Sequence, residues 1–74
     1  MERPDTMYDP HRIAEVIRVQ GRTMQWFADM TGYDPSTVSR VLNGRQPLSS
    51  KFAESAARVL GVPLEWLEAT GVAA

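Results

Sequence analysis

Glycine and proline divide this chain so finely that little except short helices can form between them. Gly21, Gly32, Gly44 and Gly61 cut it into segments of about 10–20 residues, the length range of globular helices. Each segment opens on a residue that suits a helix start: Asp9 before Pro10, Thr23, Asp34 before Pro35, and Ser49 or Ser50 after Pro47. Inside the segments apolar residues recur at helical spacing. No period-two alternation survives more than a few residues, and no hairpin turn separates β-branched runs, so strands are not expected.

The spacing predicts five helices. The first runs from about Asp9 to Gln20, with Ile13, Val16, Ile17 and Gln20 on one face. The second runs from Thr23 or Met24 to Thr31, with Phe27 and Ala28 inward and Met24 and Thr31 beside them. The third runs from Pro35 to Asn43 on Val38, Val41 and Leu42. The fourth runs from Ser49 or Ser50 to Leu60 on Phe52, Ala53, Ala56, Ala57 and Leu60. The fifth starts at Pro63 and runs to about Ala69, with Leu64 and Leu67 toward the core. Residues 1–8 carry no periodicity and read as a flexible arm; residues 9–70 read as one domain, and 71–74 as a frayed end.

Seventy-four residues allow one core. A chain of this length buries only about 60% of the surface its unfolded form exposes, which leaves little interior for a substrate pocket. There is no cysteine and one histidine, His11, expected to face solvent from the first helix. Disulfides, a thiolate nucleophile and a metal cluster are therefore not expected. No nucleophile–base pair or phosphate loop is visible, so neither an enzyme nor a cofactor or small-molecule substrate is expected. No apolar run approaches the ~20 residues of a membrane span, and the N-terminus lacks a signal-peptide core.

The net charge of -1 argues at first against a polyanionic partner. Its distribution argues the other way. Between Pro35 and Ala53 there is no acid, only Arg40, Arg45 and Lys51, while Arg18 and Arg22 flank the first turn. Brought to one side, these cations would make a positive field despite the total.

The segment Thr23 to Arg45 concentrates the signal. Two helices are joined by a tight turn on Gly32 and Tyr33, with the small Ala28 where they would cross. Such a pair projects its second helix from the surface, and a major groove about 12 Å wide accepts a helix. The outward residues of that helix are Pro35, Ser36, Thr37, Ser39, Arg40 and Asn43. The small ones allow close approach to base edges, and an arginine can reach guanine O6 and N7 with two hydrogen bonds. Ser36 and Thr37 can hydrogen-bond bases or offer a methyl to thymine. Thr23 and Gln25, at the start of the second helix, sit where free N–H groups hold phosphates. Arg22 and Arg45 flank the motif as further phosphate candidates, and Lys51 follows.

These residues resemble the lambda-repressor-like family of helix-turn-helix proteins, which includes phage repressors, Cro proteins and many bacterial regulators of the xenobiotic-response-element type. Thr23, Phe27, Ala28, Gly32, Tyr33, Thr37, Val38, Ser39, Arg40, Asn43 and Gly44 stand in the family's register. The string DPSTVSRVLNG is also similar to the opening of lactose-repressor-type regulators, but RQPLSSKFAESAARVLGVPLEWL resembles the fourth and fifth helices of the phage-repressor group. The likeness spans about residues 10–68. It implies an all-α, compact five-helix bundle that binds double-stranded DNA, acts as a repressor or Cro-like regulator in the bacterial cytoplasm at the nucleoid, and pairs as a homodimer on an inverted-repeat operator. Half-sites would then lie about 34 Å apart.

Two positions depart from the pattern. Met24 stands where the family often has a phosphate-gripping glutamine, with Gln25 one place later. Pro35 and Ser36 replace long amides that read bases in related proteins, which shifts readout toward Arg40 and DNA shape. Asp34, close to the backbone, is read as a helix cap. Trp26 is expected to be partly exposed, packing on the arm or meeting DNA or a partner; Trp66 either closes the core or marks a dimer contact. A different class stays open: a protein-interaction module, or an antitoxin-type regulator, on the same fold.

Overall fold

The computed structural model describes residues 7–69. Four α-helices follow one another: α1 (Pro10–Val19), α2 (Met24–Thr31), α3 (Pro35–Leu42) and α4 (Ser50–Leu60). Each begins where its cap predicts. Asp9, Thr23, Asp34 and Ser49 are extended at the backbone, and each side chain accepts a hydrogen bond from an amide in the first turn.

The expected fifth α-helix is instead a four-residue 3-10 turn, Leu64–Leu67. Side chains three apart eclipse in a 3-10 turn, so the spacing of Leu64 and Leu67 suits either geometry. Leu67 reaches the core with 0% exposure, while Trp66 stands 56% exposed beside it. The expectation that Trp66 closes the core is therefore overturned.

One core fills the space between the elements. Ile13 and Ile17 come from α1, Phe27 and Ala28 from α2, Val38, Val41 and Leu42 from α3, and Phe52, Ala56, Ala57 and Leu60 from α4. No polar or charged side chain is buried among the described residues. Met24, expected beside Phe27, faces solvent at 40% exposure. Gln20, also placed on the inner stripe, is exposed, yet its side-chain amide donates to the Leu60 carbonyl at 2.9 Å and ties α1 to the end of α4.

The N-terminal boundary is closed by backbone pairing. Asp9 N–H donates to the Leu67 carbonyl at 2.8 Å and Ala69 N–H to the Met7 carbonyl at 3.0 Å. Tyr8 and Glu68 form an isolated antiparallel bridge. Met7 and Tyr8, assigned to the arm by their lack of periodicity, are thus tied to the end of the fold. The rest of the expected arm and the frayed end from residue 70 lie outside the described residues. Among the described residues no helix is long and apolar enough to cross a membrane.

Candidate nucleic-acid interface

The turn between α2 and α3 is three residues, Gly32–Asp34. Gly32 has φ +84°, in the left-handed region that glycine tolerates best. Its N–H donates to the Ala28 carbonyl at 2.9 Å, ending α2. Tyr33 then turns inward and stacks on Phe52 of α4, with ring centroids 4.8 Å apart. Phe27 meets the same ring at 5.9 Å. Ala28 is 1% exposed, and α2 packs directly on α3. The turn is thereby fixed at its glycine, at its aromatic and at the small residue beneath it.

This frame gives α3 two faces. Val38, Val41 and Leu42 are buried at 0–3% exposure. Ser36, Ser39, Arg40 and Asn43, at i, i+3, i+4 and i+7, share one stripe on the opposite side. Ser36, Arg40 and Asn43 are exposed; Ser39 and Thr37 are half-buried; Pro35 is exposed at the first turn. Within the stripe, Asn43 Nδ2 donates to Ser39 Oγ at 3.3 Å. The Asp34 carboxylate accepts from Ser36 N–H at 3.1 Å, so it serves as the helix cap read from sequence.

The start of α2 is the second part of the site. Thr23 Oγ1 accepts from Trp26 N–H at 3.0 Å. No hydrogen bond among the described residues engages the N–H groups of Met24 and Gln25 at this end. Helix N-termini left this way favour anions. Gln25 Nε2 donates to Asp29 at 3.1 Å, along the helix.

Arg22, Arg40, Arg45 and Lys51 are all exposed. Among the described residues the ion pair recorded joins Arg18 to Glu15 at 2.7 Å, so no carboxylate neutralises those four cations. Trp26 is half-buried against the core, and its outer face carries the Arg22 guanidinium, 4.3 Å from the ring centroid. The ring is thus occupied by Arg22, a partner the sequence reading did not consider. Gln46, which sequence reasoning also passed over, accepts from Arg40 Nε at 3.2 Å. Neither contact has a sequence signal beyond proximity. His11 is exposed, as expected. No group of three metal-ligating side chains occurs among the described residues.

A short, capped helix pair, a three-residue turn and a second helix with a polar outer stripe define a lambda-repressor-like helix-turn-helix domain. The helix-turn-helix family model of Cro/repressor type matches residues 13–67, and the chain belongs to that family. It is a DNA-binding transcription regulator. Among solved structures it is similar to the restriction-modification controller protein C.AhdI from Aeromonas hydrophila, with a TM-score of 0.72, 23% identity, and coverage of 77% of this chain and 86% of that one. No curated protein matches it.

Proposed function

We propose that the protein is a repressor of the phage-repressor or Cro type, lying with α3 in the major groove of an inverted-repeat operator and binding it as a homodimer. The observation that carries this reading is the stripe of Ser36, Ser39, Arg40 and Asn43 on a helix whose opposite face is sealed into the core. Pro35, Ser36 and Thr37 bring the helix start close to base edges. Arg40 reads a guanine through O6 and N7, a contact worth about 1–3 kcal/mol of discrimination. Thr23, Gln25 and the free amides of α2 hold one phosphate, and Arg22, Asn43 and Arg45 hold others. The dimer forms through the exposed Trp66 on the terminal turn, since an exposed tryptophan is a typical anchor of protein contacts.

Selection of bound duplexes from a random pool at moderate salt tests the proposal. The expected product is an inverted repeat, with one guanine per half-site losing its preference in Arg40→Ala. No enrichment by the folded protein would overturn it.

A second reading has its own support. Val19, Met24 and Met30 are exposed at 71%, 40% and 56%, and the net charge is -1. Those features suit a protein-interaction module or an antitoxin-type regulator. DNA binding that is weak and indifferent to salt would favour it, because phosphate contacts make affinity fall steeply with salt.

A further inference from the structure

Arginine on a helix surface is a flexible reader. It reaches a guanine edge only after its side chain has been ordered, and ordering costs affinity. In this fold the ordering is supplied by the end of α3. Gly44, at φ +77°, reverses the chain there. Gly44 N–H donates to the Val41 carbonyl at 3.1 Å and Arg45 N–H to the Arg40 carbonyl at 2.8 Å. This doubled closure is a Schellman motif, which fixes the path of the chain immediately after the helix. The next residue is Gln46, whose half-buried side chain accepts from Arg40 Nε at 3.2 Å.

The atom that Gln46 engages matters. A guanidinium has five N–H donors: one on Nε and four on the two terminal nitrogens. Reading O6 and N7 of guanine end-on requires the two terminal nitrogens as a pair. A partner on either of them would spoil that fork. Gln46 takes the Nε donor and leaves the terminal pair for guanine.

Resting on the reading of α3 as the major-groove helix, we infer that Gln46 is a positioning residue for base recognition: it locks Arg40 in the end-on geometry that selects guanine. Gln46 carries no charge, so it adds to specificity without adding to the salt dependence of binding.

The full chain tests this with three variants. Gln46→Met keeps the length and removes the acceptor. Gln46→Glu keeps an acceptor for Nε. Arg40→Ala removes the reader. In the free protein, the Arg40 Nε–H resonance is expected to be protected from exchange in the wild type and in Gln46→Glu, and unprotected in Gln46→Met. On the selected duplex, Gln46→Met is expected to lose about tenfold in preference for guanine at the Arg40-dependent position, within the range one bidentate contact supplies. The slope of affinity against salt should not change. Gln46→Glu should retain the preference, at lower affinity for every duplex. A folded Gln46→Met protein with full guanine preference would overturn the inference. So would an equal loss on all sequences, which would make Gln46 a backbone contact. If Arg40→Ala itself leaves every base preference intact, the reading of α3 fails and this inference falls with it. If Arg40→Ala relaxes one guanine and Gln46→Met does not, only the role of Gln46 fails.

Discussion

At Gly32 one backbone angle decides whether α3 is presented at all. A side chain at φ +84° is strained even though a Cβ there would meet nothing within 4 Å. Gly32→Ala is therefore expected to destabilise the fold by about 1–2 kcal/mol from the backbone alone. Thermal or urea denaturation checks this, and Gly32→Asn should cost less because asparagine tolerates the left-handed region better. Ala28 governs the spacing of the same pair. At 1% exposure it has no room to grow, so Ala28→Leu is expected to destabilise by about 1–3 kcal/mol through overpacking. Denaturation midpoint measures that, and weaker DNA binding should accompany it if α3 is displaced. These two residues were legible in the sequence because small size and left-handed tolerance are properties of a single position. The partners of Arg40 and Trp26 were not. Gln46 and Arg22 are chosen by how a turn folds back and by which ring face stays open, and no periodicity encodes either.

Legibility at the element scale follows from capping. The four α-helices begin within a residue of expectation because Asp9, Thr23, Asp34 and Ser49 are chemically distinct starts. Thr23 satisfies the Trp26 amide at the start of α2, so Thr23→Ala is expected to cost about 1 kcal/mol of stability. Thr23→Ser should recover most of it. The terminal turn was misread for a different reason. Four residues are too few to tell a repeat of three from one of 3.6, so LEWL suited an α-helix as well as the 3-10 turn it forms. In either geometry Leu64 and Leu67 share one side, so Trp66 points outward and Leu67 is the anchor. Leu67 is fully buried, and its carbonyl accepts from Asp9 N–H. Leu67→Ala is expected to cost about 2–5 kcal/mol, whereas Trp66→Ala should leave the monomer's stability nearly unchanged. Paired with denaturation, sedimentation over a range of concentrations separates the two roles: Trp66→Ala should weaken self-association and Leu67→Ala should lower the unfolding midpoint. The pairing of Met7 and Tyr8 with residues 68 and 69 escaped the sequence because backbone hydrogen bonds leave no mark on side-chain pattern.

For the whole molecule the net charge is a poor guide and its placement a better one. The four exposed cations around the helix pair have no carboxylate partners among the described residues, while Asp29 and Asp34 are engaged within their own helices. The principal dimensions are 33 × 22 × 21 Å. The homodimer proposed above requires its two reading helices to lie about 34 Å apart, one turn of duplex. On the proposed reading, α3 recognises a guanine in the major groove through Arg40. Replacing each guanine of the selected duplex in turn by 7-deazaguanine tests it most directly, because this removes the N7 acceptor and leaves Watson–Crick pairing and the minor groove unchanged. One sensitive guanine per half-site is expected in the wild type, and no sensitivity at that guanine in Arg40→Ala. Wild-type binding indifferent to every such replacement, with the duplex still selected over the pool, would contradict it.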